Sequence, residues 1–268
     1  MTTNQTRNRY PTDLTDKQWI LLETILARLG VGSRGRPSEH GYREIVSAIL
    51  YVVRSGCAWR LLPHDLPPWQ TVYGQFRRWK RDGTWSALHD ALRDKVRKTE
   101  GRSPQPTAAI IDAQTIRGAD TVGTTSRGYD AGKKTNGRKR HIAVDTMGLL
   151  LVIMVTSADI QDRRGGKALL WLVHQRFTNT QLTWADGGYS GKLVDWCKQR
   201  FDALVEIVKR SDDTSGFKVL PRRWVVERTF GWFMKCRRMT ADYERLPETS
   251  VAMAQIVMIG VMTRRLAK

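Results

Sequence analysis

The sequence has few cysteines, little acidic charge and no apolar run long enough to cross a membrane. Cys57, Cys197 and Cys236 lie far apart without a CxxC pair, which excludes a disulfide framework and argues against a structural zinc site. The longest apolar runs, residues 148–155 and 256–262, are shorter than the roughly 20 residues that a transmembrane helix needs. The N-terminus is polar and lacks an apolar signal core, so we expect a cytoplasmic protein without a membrane partner.

Basic residues are present in large excess. The chain has 45 Lys and Arg against 26 Asp and Glu, which gives a formal net charge of +19 and a pI near 10.3. Such a balance favours a polyanionic partner, because neutralising phosphates releases counterions and drives binding. With 268 residues, of which 41% are hydrophobic, the chain can form one large or two ordinary globular domains.

Hydrophobic periodicity predicts several helices in the N-terminal part of the chain, with Asp13 or Thr15 as the cap of the first. The third helix carries aromatic residues together with Arg77 and Arg78. A small helical unit with such a basic helix resembles a helix-turn-helix DNA reader, although a plain bundle with a solvated basic end has the same pattern. The predicted helices cover residues 17–29, 42–54, 68–81 and 84–98.

A polar, proline-containing stretch, residues 99–106, predicts a linker between a helical DNA-binding domain (1–98) and a second domain (107–268). Three predicted strands follow it and should form an antiparallel meander. Helices then alternate with further strands, which indicates parallel pairing and an α/β domain with a mixed sheet. The predicted strands cover residues 107–111, 139–144, 149–156, 181–185 and 203–209, and the helices 162–177, 191–201, 222–238 and 247–266.

Three acidic residues are candidates for chemistry. Asp112 and Asp186 each end a predicted strand, and Glu227 lies on a basic amphipathic helix. Taken singly, such an Asp is usually a turn former, and such a Glu is usually salt-bridged. However, the first and fourth strands are expected to be neighbours, and a helix across the sheet edge could bring Glu227 beside both. Three converging carboxylates suit a hard divalent cation, and without one their mutual repulsion would be costly.

A set of motifs accompanies these residues in order over residues 108–250: IIDAQTIRG, RHIAVDTMGLLL, TSADIQDRRGG, ADGGYSG, RRWVVERTFGWFMKCRRM and DYERLPETS. With these motifs the chain resembles insertion-sequence transposases of the DDE type, specifically the IS5 family. The stretch GRPSEHGYREIVSAILYVVRSGCAWRLLP resembles the helical domain that precedes the catalytic core in those enzymes. The resemblance thus covers nearly the whole chain.

The resemblance implies an RNase H-like fold in which Asp112, Asp186 and Glu227 bind Mg²⁺, or Mn²⁺ in its place, as two ions with Asp112 between them. It implies a transposase that binds double-stranded DNA at terminal inverted repeats, cleaves it and joins it to target DNA. A homodimer or higher oligomer on paired ends is a family expectation. The chain departs from the family pattern at Leu220, where many relatives have Tyr, and at Lys235, which lies one position beyond the commoner spacing.

Basic residues around these carboxylates are predicted to contact DNA. For the run 133–140, a solvated charged loop is an equally consistent interpretation. Trp232 could stack on a displaced base, although core packing is the favoured interpretation. The predicted DNA-contacting residues are Arg77, Arg78, Lys133, Lys134, Arg138, Lys139, Arg140, Arg223, Arg228 and Lys235.

Two other classes of protein share some of these features. A transposase-derived DNA-binding regulator would fit the charge, but such regulators tend to lose the catalytic carboxylates. An RNase H-like nuclease or junction resolvase without strand transfer would not need the N-terminal helices or the DYERLPETS motif. A tyrosine recombinase using Tyr243 would need an Arg/His cluster that the sequence around that residue lacks.

Overall fold

The computed structural model describes residues 7–32, 39–208 and 224–268. Its N-terminal part folds into helices at the predicted places. Thr15 is the cap of the first, because its hydroxyl accepts the N–H of Gln18 while the Gln18 side chain accepts the N–H of Thr15. The helices are α1 (Asp16–Arg28), α2 (Tyr42–Ser55), α3 (Trp69–Arg81) and α4 (Thr84–Thr99), each within two residues of its predicted bounds.

Helix α3 turns its aromatic side inward and its basic side outward. Phe76 and Trp79 are buried, and Trp79 packs edge-on against Trp85 of α4 with ring centroids 4.9 Å apart. Arg77 and Arg78 are exposed on the opposite side of the helix. The predicted amphipathic pattern is therefore confirmed, while a helix-turn-helix mode of DNA reading stays a prediction.

The described residues contain one mixed sheet of six strands. Strands β1, β3 and β4 pair antiparallel, as the predicted meander requires, and β5 and β6 run parallel to β1. The short strand β2, which pairs with β3, is absent from the sequence prediction. The strands are β1 (Ala108–Arg117), β2 (Gly128–Asp130), β3 (Thr135–Val144), β4 (Leu150–Ser157), β5 (Leu182–Ala185) and β6 (Leu204–Ile207).

The predicted end of the first strand at Asp112 is wrong. Strand β1 continues to Arg117, so Asp112 lies in its middle. The reason is tertiary, because β3 pairs with β1 from Ile110 as far as Arg117, which lies opposite Gly137. Hydrophobic alternation in β1 is interrupted by polar residues, and it does not reveal a partner strand farther along the chain.

Each face of the sheet is covered by helices. One face, with Ile110, Ile142 and Trp184, shares a continuous core with α1–α4 and with two C-terminal helices, α7 (Trp224–Met234) and α8 (Pro247–Leu266). The other face packs against α5 (Asp162–Arg176) and α6 (Lys192–Phe201). Since α1–α4 share a core with the sheet, the division into two domains at residues 99–106 stays a prediction.

Candidate active site

Asp112 and Asp186 lie side by side on neighbouring parallel strands. The last paired residues of β1 and β5 are Ile110 and Trp184, and each Asp lies two residues beyond its member of that pair. Asp186 is still in an extended conformation. Because side chains alternate along a strand, both carboxylates point to the face of Ile110 and Trp184, which α7 also covers. The prediction that these two strands are neighbours is confirmed.

Both carboxylates are half-buried and oriented by nearby backbone groups. The Asp112 Oδ1 atom accepts the N–H of Ala113 at 2.7 Å, and the Asp186 Oδ1 atom accepts the N–H of Gly188 at 2.9 Å. A Cβ added to Gly188 would lie 3.0 Å from that same oxygen, whereas one added to Gly187 would meet no atom within 4 Å. The first glycine therefore borders open space, and the second lies close against the Asp186 carboxylate.

Glu227 lies on α7, on the same side of the sheet as the two aspartates. The helix buries Val226, Phe230 and Phe233 against β1, β3 and α8, and Glu227 lies exposed beside this apolar stripe. Among the described residues, no three His, Cys, Asp or Glu side chains are close enough together to bind a metal ion. Convergence of Glu227 on the two aspartates therefore stays a prediction, and Arg223 lies outside the described residues.

The middle of α7 is anchored on the turn between β3 and β4. Thr229 donates its hydroxyl to the Gly148 carbonyl, and Arg228 donates to the Met147 carbonyl, each at 2.8 Å. Gly148 has a φ of 77°, and a Cβ there would lie 3.0 Å from the Thr229 hydroxyl. A glycine at this position thus permits both the turn and the close approach of the helix that carries Glu227.

Asp145 holds this turn together from inside the protein. Its Oδ1 atom accepts the N–H groups of Met147 at 2.9 Å and Leu149 at 2.8 Å, and its other oxygen pairs with Arg97 of α4. Arg97 also donates to the Ser103 carbonyl at 2.7 Å. The sequence from Asp145 to Gly148 predicts a turn between the second and third predicted strands, and the structure confirms it. The link of Asp145 to α4 was missed, because a turn motif does not reveal a distant cationic partner.

The basic run on β3 is largely structural. Arg138 is fully buried, where it donates to the carbonyls of Glu244 at 2.7 Å and Arg245 at 2.8 Å and pairs with Asp242 at 3.4 Å. Arg140 is also buried and donates to the Met239 carbonyl at 2.8 Å. Burial lowers the pKa of Arg140 to about 10, against the opposing effect of Asp242 and Glu244.

Lys139 is also buried, and its ammonium group lies 2.9 Å from the Asp162 carboxylate. We therefore correct the prediction that Arg138, Lys139 and Arg140 contact DNA. In this structure they connect β3 to α5 and to the DYERLPETS segment, and the acids of that segment balance the charge of the two arginines. Lys133 and Lys134, in contrast, are exposed at the start of the same run.

The remaining basic candidates differ in accessibility. Arg77, Arg78 and Lys235 are exposed. Arg228 is half-buried, and its guanidinium carbon lies 4.4 Å from the ring centroid of Trp224 and 5.1 Å from that of Trp232. The desolvation that results lowers the pKa of Arg228. Trp232 is partly buried against the core, which agrees with the interpretation of this ring as a packing residue.

Comparisons with known proteins agree with this geometry. Residues 103–261 match the family described as "Transposase DDE domain", and residues 14–89 match the family described as "Putative transposase of IS4/5 family". The chain is also 27% identical over 108 residues to the "Insertion element IS402 uncharacterized 16.2 kDa protein" of Burkholderia cepacia, a match that covers 39% of this chain and 72% of that protein. In the part of the chain that the structure describes, no helix is long and apolar enough to span a bilayer.

Proposed function

This chain belongs to the DDE transposase family, and on that premise we propose that it binds the terminal inverted repeats of its insertion element and catalyses cleavage and transfer of DNA strands. The family implies an RNase H-like core, and the mixed sheet with helices on both faces agrees with it. The finer assignment to IS5 rather than IS4 rests on the motifs around the three carboxylates.

One observation carries the proposal. The register of β1 with β5 brings Asp112 level with Asp186 on one face, and α7 brings Glu227 to the same side of the sheet. All three side chains offer carboxylate oxygens, which are the ligands that Mg²⁺ and Mn²⁺ prefer, so the type of donor suits a divalent cation. When bound as a pair, such cations activate the attacking oxygen and stabilise the leaving oxygen in phosphoryl transfer.

The protein's own residues orient and stabilise these groups. The N–H groups of Ala113 and Gly188 fix one oxygen of each aspartate, which orients the carboxylates before DNA arrives. The turn at Gly148 anchors α7 through the two residues that follow Glu227. Exposed cations elsewhere on the surface, among them Lys133, Lys134 and Lys235, would attract the DNA backbone.

The test is cleavage and joining of a DNA duplex that carries the element's own ends, in Mg²⁺ or Mn²⁺. We expect activity from the wild-type protein and none from D112N, D186N or E227Q, each of which should still bind the duplex. D195N is the matched control, because Asp195 is exposed on α6 across the sheet from the site. Folded wild-type protein that cleaves in neither metal, or E227Q that cleaves at the wild-type rate, would contradict the proposal.

A further inference from the structure

A cleft of about 430 Å³ opens between α2, α8 and the segment that follows α7. It adjoins a smaller space of about 220 Å³, and the two share Arg54, Lys235 and Arg264. Neither Asp112 nor Asp186 lines either space, so the cleft is separate from the candidate active site.

Three cations from three different parts of the chain line this cleft. Arg54 comes from α2, Lys235 from the residue that follows α7, and Arg264 from the last turn of α8. Within residues 7–32, 39–208 and 224–268, no acidic side chain lines the cleft or forms an ion pair with these three. Part of the wall is apolar, with Leu50, Val53 and Val257.

These positive charges line one cleft, and all three side chains are exposed at its surface. Burial lowers the pKa of Arg264, and the Arg54 charge lowers it further, against the opposing effect of the Cys236 thiol. Arg54 is held in place because it donates to the Lys235 carbonyl at the end of α7, where the helix dipole favours a cation. Like charges around one cleft repel one another, and a bound anion would offset that repulsion.

We propose that this cleft binds a phosphate group at a site separate from the carboxylate site. Phosphate fits because a guanidinium offers paired N–H donors that match its oxygens, and because Arg54 and Arg264 are fixed on two different helices. The volume is within the range that accommodates a nucleotide-sized group. If the phosphate belongs to DNA, the inference rests on the proposed function and adds a contact between the duplex and helices α2 and α8.

The first experiment measures binding of a fluorescent DNA duplex without divalent cations, over a range of salt concentrations. Removing one cation that binds a DNA phosphate should reduce the slope of log affinity against log salt by about 1. We expect that reduction, with a several-fold lower affinity, for R264Q. We expect R54K, which retains the charge, to lie closer to wild type than R54Q.

R28Q is the matched control, because it also removes one helical arginine but lies exposed on α1, outside the cleft. Its salt slope should equal that of the wild-type protein. Since Arg54 also contacts the end of α7, its replacement affects the packing of that helix as well as the charge of the cleft. R264Q, which leaves that contact in place, is therefore the decisive variant.

The second experiment distinguishes DNA from free phosphate as the source of the group. The thermal midpoint is measured in sodium phosphate and in sodium chloride of equal ionic strength, for wild type, R264Q and R28Q. A phosphate-specific rise that R264Q loses and R28Q keeps supports the site. If R264Q changes the salt slope of DNA binding, the site is assigned to the DNA backbone, whether or not phosphate raises the thermal midpoint. If phosphate raises the thermal midpoint and R264Q leaves the salt slope unchanged, the site is assigned to free phosphate. Absence of both effects overturns the proposal.

The cleavage assay separates this inference from the proposed function. Suppose that the wild-type protein does not cleave its element ends, but R264Q loses the rise of the thermal midpoint in phosphate. This result contradicts the transposase chemistry and leaves the cleft assignment intact. Wild-type protein that cleaves, with R264Q and R28Q alike in both binding experiments, overturns only the cleft assignment.

Discussion

Aspartates lie in two regions of the sheet, and the two regions differ in how deeply they bury the carboxylate and in which groups contact it. At the β3–β4 turn, Asp145 is fully buried, and both its oxygens are occupied by Arg97 and two backbone N–H groups. Farther along the sheet, Asp112 and Asp186 are half-buried, and a backbone N–H orients each of them. One region fixes a carboxylate for structure, and the other keeps two carboxylates accessible on adjacent strands.

The difference shows that burial decides whether a carboxylate stabilises the fold or is available to bind a ligand. A buried carboxylate must be paired with a cation and hydrogen-bonded, and the pairing then makes it unsuitable as a ligand. A carboxylate that receives a metal or a substrate must remain accessible and be oriented by weaker contacts. Mutations in the two regions should therefore affect different measurements.

The largest effect is expected on cleavage from the accessible region. D112N keeps the shape of the side chain but removes the charge that would bind a cation, so cleavage of element ends should fall on the order of 10³-fold or more. The thermal midpoint should stay close to that of wild type. If D112N lost its activity because the protein was unfolded, the distinction between the two regions would be wrong.

The next largest effect is expected on stability from the β3–β4 turn. D145A leaves the Arg97 charge buried without its partner, which should lower the free energy of unfolding by about 3–5 kcal/mol, measured by urea denaturation. K198A, which removes an exposed ion pair with Asp202, should leave it nearly unchanged. Equal decreases in the two variants would mean that burial of the pair is unimportant.

A third test concerns a buried titratable group between the two regions. Burial lowers the pKa of His141 on β3 to about 4 from its ordinary value of 6.5. The unfolded chain therefore binds a proton near pH 6.5 and the folded protein only near pH 4, so stability is lost as the pH falls through this window. We expect a decrease of about 2 kcal/mol between pH 7 and pH 5 from this residue.

The measurement is urea denaturation of wild type and H141Q at both pH values. The imidazole lies against Gly165, where an added Cβ would be 2.1 Å from the ring, and its Nε2 lies 3.0 Å from the Thr156 hydroxyl. H141Q should therefore be less stable at pH 7 but lose less stability on acidification. If the free energy of unfolding of H141Q falls between pH 7 and pH 5 as much as that of wild type, the pH dependence belongs to other groups.

The smallest effect is expected where the β3–β4 turn anchors α7. T229V removes the hydroxyl that donates to the Gly148 carbonyl while keeping the side-chain shape, which should lower the free energy of unfolding by about 1 kcal/mol. Because the same contact positions the helix that carries Glu227, the variant should also need more Mg²⁺ for half-maximal cleavage. T229S, which keeps the hydroxyl, should need the wild-type concentration of Mg²⁺.

Much of this architecture could be predicted from local patterns. The period of apolar residues placed α2 and α3 within one residue at each end, and it placed α8 with its observed bounds. Alternation of strands and helices predicted that β5 lies parallel to β1. These features depend on which face of each element is apolar, and that information is contained in consecutive residues.

The sequence by itself determined the main helices, five of the six strands and the choice of three candidate carboxylates, because periodicity and motifs are properties of adjacent positions. Only the tertiary structure decided that Asp112 lies within a long strand, since β3 pairs with that strand as far as Arg117. Only the tertiary structure decided that Arg138 and Arg140 are buried rather than available to DNA, because their partners come from the segment around Asp242. A charged side chain is buried and paired, or left accessible, according to neighbours that the local sequence does not contain.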